Sequence, residues 1–83
     1  MKGFVIDIET DGLSLESNIR FVGVKDIFSG DEKIFNVYED GYSFVKDELS
    51  KLFNSADVLV GYNINKFDLP LIKNFFEIIS LFL

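Results

Sequence analysis

Two carboxylates interrupt an apolar segment near the start of the chain. Residues 3–12 read GFVIDIETDG, and Asp7 and Glu9 lie two positions apart within it. The apolar residues around them predict a β-strand, and alternate residues of a strand project from the same face. The two negative side chains would therefore lie side by side and repel each other. A divalent cation compensates such a pair most directly, so the segment predicts a site for Mg²⁺ or Mn²⁺, which favour carboxylate oxygens.

Asp68 is a third carboxylate that fits the same site. It follows a short apolar segment, DVLVGYN at 57–63, and precedes an apolar helical pattern. If the strand at 57–63 is parallel to the first strand, the carboxyl ends of both lie at one edge of the sheet. Asp68 would then face Asp7 and Glu9 across a small cleft. A helix N-cap is the alternative role, because Pro70 follows in the first turn, and the two roles are compatible.

The loop before Asp68 carries side chains that suit a nucleic-acid ligand. Asn63, Asn65 and Lys66 have the hydrogen-bonding groups that contact phosphates and sugars. Tyr62 and Phe67 can stack on a base, but aromatic residues at such positions also serve as core or lid. These alternatives remain open from the residues alone.

The elements that position these residues follow an α/β pattern. Three strands form a meander around a turn at 29–31, a helix begins near Ser43, and a buried strand and a last helix follow. The predicted strands are 2–8, 19–28, 32–38 and 57–63, and the last helix is 69–82. The order is β-β-β-α-β-α, with a mixed sheet.

Composition narrows the chemistry. The chain has 83 residues, a net charge of −6, no cysteine and no histidine. It is predicted to be a single domain over 1–83, without disulfides and without thiolate or imidazole metal ligands. Its acidity argues against bulk electrostatic attraction of nucleic acid unless cations are bound. There is no signal-peptide pattern and no membrane-spanning segment, so a cytoplasmic location is expected.

Two motifs carry a family resemblance. VIDIETDG resembles the Asp-x-Glu motif of the DEDD (DnaQ-like) superfamily of 3′–5′ exonucleases, which have a ribonuclease H-like fold. YNINKFDLPLI resembles the second motif of that family, Asn-x-x-x-Phe-Asp, at Asn63, Phe67 and Asp68. The residues around this second motif also resemble the proofreading domains of DNA polymerases. The motifs occur in the family order, about 60 residues apart, and the likeness runs from residue 3 to about 73.

The resemblance implies a role for each matching residue. Asp7 would bridge two metal ions, Glu9 would hold the ion on the nucleophile side, and Asp68 would hold the other. Thr10, Asn63, Asn65 and Phe67 would bind the terminal nucleotide. The implied activity is hydrolysis of phosphodiester bonds at the 3′ ends of single-stranded DNA or RNA, with Mg²⁺ or Mn²⁺ as cofactor.

The third motif of the family is absent from this sequence. It supplies a fourth metal-binding Asp and, in most members, a His or Tyr that positions water. We therefore expect a truncated, partial domain with an exposed apolar patch, and a homo-oligomer through the apolar C-terminal helix. An inactive remnant that binds nucleic acid, or an oligomerising module, is the alternative function.

Overall fold

The computed structural model describes residues 1–61 and 64–78, without the side chains of Ile64 and Asn65. The strands are β1 Gly3–Thr10, β2 Ile19–Asp26, β3 Glu32–Asn36 and β4 Val58–Val60. The helices are α1 Val37–Asp40, α2 Tyr42–Ser55 and α3 Leu69–Phe76, with a π-helical turn at Ile64–Asp68 before α3. The predicted α/β class and the order β-β-β-α-β-α are confirmed, with the short α1 and the π-helical turn as additions.

The four strands form one mixed sheet in the order β3-β2-β1-β4. β2 pairs antiparallel with both β1 and β3. β4 pairs parallel with β1, with Gly3 opposite Val58 and Val5 opposite Val60. The parallel pair follows from the α2 crossover, because two parallel strands cannot be joined by a tight turn. The carboxyl ends of β1 and β4 therefore point to the same edge, as predicted.

One face of the sheet builds the hydrophobic core. Alternate residues of the strands are buried there together with apolar residues of α2 and α3. The cluster includes Ile6, Val22, Val24 and Phe35 of the sheet, Val45, Leu49 and Phe53 of α2, and Leu71, Ile72 and Phe76 of α3. The apolar stripe of α3 is thus used in the chain's own core over its described length. Residues 79–83, on which the predicted self-association also depends, lie outside the described residues.

The third strand is shorter than predicted because a helix starts at its end. Asn36 is the N-cap of α1, and its side-chain oxygen accepts hydrogen bonds from the backbone N–H groups of Tyr38 and Glu39. The carboxylate of Asp40 accepts from the N–H of Asn36 at 2.9 Å. This reciprocal cap ends β3 at Asn36, two residues before the predicted end at 38.

The predicted start of the last helix at Leu69 is confirmed, but the capping role of Asp68 and the predicted end of the helix are not. Asp68 has helical backbone angles and makes no side-chain capping hydrogen bond, so the N-cap interpretation is wrong. The π-helical turn leads directly into α3. At the other end, α3 stops at Phe76 because Glu77 adopts a left-handed conformation with φ of 57°. The predicted helix to 82 is therefore too long over its described part, and Ile78 is buried beyond the break.

Within residues 1–61 and 64–78, no helix is long and apolar enough to cross a membrane.

Candidate functional site

Asp7 and Glu9 lie on the face of the sheet opposite the core. Both side chains are exposed, and the register places Asp7 opposite Gly23 and Glu9 opposite Phe21. Together with Ile34 of β3, these four residues line a depression of about 250 Å³. The two carboxylates thus share one accessible surface, as the strand alternation predicted.

Gly23 keeps the space beside Asp7 open. A Cβ added at Gly23 would lie 3.6 Å from the backbone oxygen of Asp7 and 4.0 Å from its Cβ. These are ordinary contact distances, so alanine would fit, whereas a larger side chain would project over the depression beside the carboxylate. The absence of a side chain at this position gives a ligand access to Asp7 from the neighbouring strand.

Asp68 reaches the same region from the other side of β1. The π-helical turn packs against β1 and leaves Asp68 buried, with 7 % of its surface exposed. Burial raises the pKa of the Asp68 carboxyl above its usual value, and the neighbouring charge of Asp7 raises it further. Asp68 is therefore near enough to Asp7 for the two charges to repel each other, with Asp7 exposed and Asp68 buried. Extra residues of this kind in a helical turn often occur at functional sites.

The three carboxylates do not form a closed ligand set. Within the part of the chain that the structure describes, no group of three or more acidic side chains is close enough to hold a metal ion. Asp7 and Glu9 line one depression on the open face, and Asp68 interacts with the charge of Asp7 from the π-helical turn. All three supply the hard oxygen donors that Mg²⁺ and Mn²⁺ favour, so the donor chemistry fits, and their role as metal ligands stays a prediction.

The predicted substrate-binding residues have mixed positions. The Thr10 hydroxyl donates a hydrogen bond to the backbone oxygen of Gly12 and so stabilises the turn after β1. Phe67 is half-buried and packs against the core, in agreement with the core interpretation. Asn63 and Tyr62 lie outside the described residues, as does the side chain of Asn65. Nucleotide contacts by Thr10, Asn63, Asn65 and Phe67 remain predictions.

Sequence reasoning missed the residues that form the floor of the site. Phe21, Gly23 and Ile34 line the depression with Asp7 and Glu9, yet they belong to β2 and β3. The signal that was available is the alternation of these strands, because cross-strand pairs share a face. The sequence does not show that Gly23 lies opposite Asp7, because the register of β1 and β2 depends on the length of the turn after β1.

Comparisons with known proteins agree with this architecture. The family model of the RNase_H superfamily matches residues 4–81. Among solved structures, the chain is similar to the family B DNA polymerase from the hyperthermophilic archaeon Pyrobaculum calidifontis, with a TM-score of 0.72 and 24% sequence identity. The match covers 96% of this chain and 11% of the polymerase chain. At this identity the likeness shows the fold. No curated protein sequence matches the chain.

Proposed function

This chain belongs to the RNase_H superfamily and is a nuclease-like domain, and we propose that it hydrolyses phosphodiester bonds at the 3′ ends of single-stranded nucleic acid with the aid of divalent metal ions. One observation carries the proposal: exposed Asp7 and Glu9 share an open face of the sheet, and the charge of Asp7 acts on buried Asp68 at the end of the π-helical turn that packs against β1. The order of the two motifs, VIDIET and NINKFD, supports the 3′–5′ direction by resemblance.

The carboxylates have distinct tasks in this proposal. Asp7 and Glu9 are accessible, so a phosphate can approach their oxygens through the depression beside Gly23. Asp68 is buried and carries an unfavourable charge next to Asp7. A divalent cation would compensate the ionised form of Asp68, and Asp7, Glu9 and Asp68 are the residues that would hold it. A bound divalent cation supplies a nucleophilic water at neutral pH and neutralises charge that develops on the phosphate oxygens.

The residues around the carboxylates have a substrate-binding task in this proposal. No histidine is present in the sequence, so imidazole does not act as general base here. The open face lets the phosphate reach the carboxylates, and the apolar floor of Phe21 and Ile34 offers contact area to the sugar. The sequence charge of −6 repels a polyanion until cations bind, so substrate binding itself is expected to require metal.

A non-catalytic module that binds metal and nucleic acid is the second candidate. One observation favours it: within residues 1–61 and 64–78 no acidic group of three is close enough to hold an ion. Such a module would bind one ion weakly at Asp7 and Asp68 and would retain oligonucleotide without cleaving it.

Degradation of a 5′-labelled single-stranded oligonucleotide tests the proposal. We expect a ladder shortened from the 3′ end in Mn²⁺ and none in EDTA. Asp7→Asn should lower the rate by about 10²- to 10³-fold, the effect of removing one preorganised electrostatic group. Asp47→Asn is the matched control, because Asp47 is exposed on α2. Hydrolysis that survives Asp7→Asn, or folded protein that never cleaves, would overturn the exonuclease proposal, and binding without cleavage would support the second candidate.

A further inference from the structure

A larger cleft opens at the end of the sheet beside the carboxylates. It has a volume of about 720 Å³, within the usual range of ligand sites. Phe21 belongs to its lining and also to the depression that holds Asp7 and Glu9. The cleft and the depression therefore adjoin at Phe21.

Aromatic side chains line the cleft in two ways. Tyr42 and Phe75 form a fixed wall: their rings meet edge to face at 5.5 Å, and the Tyr42 hydroxyl donates to the Phe75 carbonyl at 2.6 Å. Tyr42 also stacks on Phe76 of the core, at 5.4 Å. Tyr38 lines the cleft as well and is 93% exposed. An anchored aromatic wall and an exposed ring together suit a flat heteroaromatic ligand.

A β-bulge sets Arg20 at the same place. Glu9 pairs with Phe21 but Thr10 pairs with Ile19, so Arg20 is the extra residue between them. Bulges of this kind redirect a side chain and often lie next to active sites. Arg20 is exposed, lines the cleft and is the single arginine of the sequence. Arginine is the residue best suited to grip a phosphate through paired N–H groups.

Acidic residues in the cleft limit how much Arg20 contributes to the binding of a polyanion. Asp11 and Glu39 also line it, so the cleft as a whole does not attract a polyanion. Asp11 is already engaged, since its carboxylate accepts from the backbone N–H of Asn18 at 2.8 Å and from the side-chain amide at 3.0 Å. Within the described residues Arg20 makes no ion pair, although its charge, after the hydrogen bonds from Asn18, helps to lower the pKa of Asp11. Base stacking must therefore supply most of the binding, with one phosphate held by Arg20.

Two amide side chains in the lining can form hydrogen bonds with the edge of a base. Asn36 uses its side-chain oxygen to cap α1, which leaves the NH₂ of that amide to donate. Asn18 uses its NH₂ on Asp11, which leaves its oxygen to accept. A donor and an acceptor beside an aromatic wall match the edge of a nucleobase.

We propose that this cleft binds a nucleotide of the single-stranded substrate next to the one at Asp7 and Glu9, with the base on Tyr38 and the Tyr42–Phe75 wall and its phosphate on Arg20. The inference rests on the proposed function. It adds that the single-stranded substrate must be longer than one nucleotide and must offer an unstacked base to the cleft.

Oligonucleotide binding tests the cleft independently of cleavage. Fluorescence anisotropy of a labelled single-stranded hexanucleotide is measured in Ca²⁺, with the oligonucleotide checked for integrity on a gel. Tyr38→Ala should weaken binding by about 5- to 100-fold, from the loss of one base stack, and Tyr38→Phe should restore it. Arg20→Gln should weaken binding and lower the slope of log affinity against log salt by about 1. A change of slope is not expected from a merely structural effect.

Two matched controls lie away from the cleft. Phe28→Ala removes an exposed aromatic ring in the turn after β2, and Lys51→Gln removes an exposed charge on α2. Both should bind like the unaltered protein. Unchanged affinity in Tyr38→Ala and Arg20→Gln, or losses equal to those of the controls, would overturn the inference, as would a wild-type protein that binds no oligonucleotide. Hydrolysis of a nitrophenyl ester of a mononucleotide by the unaltered protein tests the carboxylates separately, because one nucleotide does not extend into the cleft.

Discussion

On one face of the sheet Ile6, Val22 and Phe35 are packed against helices, whereas on the other face Asp7 and Glu9 lie exposed beside Ile34. Both faces come from the same strands, since neighbouring residues along a strand point to opposite sides. The packed face has buried apolar groups that hold the strands in place. The open face has uncompensated charge and exposed apolar surface, such as Ile34 at 70% and Val60 at 45%. The packed face therefore gives the sheet its rigidity, whereas the side chains of the open face are accessible to a ligand.

The π-helical turn connects the two faces. Asp68 ends this turn and is buried, yet it interacts with Asp7 on the open face. Leu71 and Ile72 follow on α3 and are buried in the core. The core thus fixes the position of Asp68, and a rigid support of this kind is what the proposed site would require.

The largest effect on stability should come from the packed face. Leu49 is fully buried, so Leu49→Ala should lower the free energy of unfolding by about 2–5 kcal/mol through lost burial and a cavity. Ile34 is mostly exposed, and Ile34→Ala should change it by no more than about 0.5 kcal/mol. Urea unfolding followed by circular dichroism measures both. Equal losses in the two variants would mean that the open face is covered in solution.

Divalent metal should stabilise the protein through the open face. A ligand at 100 times its dissociation constant adds about 2.7 kcal/mol to the free energy of unfolding. We expect Mn²⁺ to raise the thermal midpoint of the unaltered protein and of Asp47→Asn, but not that of Asp7→Asn. Differential scanning calorimetry in Mn²⁺ and in EDTA measures this. A midpoint that rises equally in all three proteins would place the bound ion elsewhere.

The smallest expected effect is the change of the free energy of unfolding with pH that Asp68 causes. Burial, and secondarily Asp7, raise the pKa of this carboxyl in the folded protein above the value of 3.8. The folded state then holds the proton more tightly than the unfolded chain. The free energy of unfolding should therefore fall as the pH rises from 3.8 through the folded pKa, and stay level above it.

The variant Asp68→Asn should lose this fall of the free energy of unfolding with rising pH, and it leaves the other carboxyl groups unchanged. The difference between the unaltered protein and Asp68→Asn in EDTA should thus grow as the pH rises through this window, in favour of the variant. Chemical unfolding at a series of pH values measures it, with Asp47→Asn as the variant that keeps the decline. A difference that is constant with pH would mean that Asp68 is not perturbed.

Local patterns predicted most of the fold. The alternation in β1 placed Asp7 and Glu9 on one face, and the crossover through α2 predicted that β4 is parallel to β1. Both rest on periodicity and chain connectivity, which are properties of short segments. Two predicted bounds were wrong for different reasons: Asn36 is a local capping signal that ends β3, whereas Glu77 ends α3 in a left-handed conformation that glutamate does not favour by itself.

Residue types and their order are visible in the sequence alone: carboxylates without histidine or cysteine, two motifs that resemble those of a nuclease family, and enough apolar residues to form a core. The tertiary structure decided which side chains meet. The bulge that sets Arg20 beside the cleft, the pairing of Gly23 with Asp7, and the burial of Asp68 next to that same Asp7 all depend on strand register and on packing between distant segments. Such contacts are set by the free energy of the whole folded chain, and no single segment encodes them.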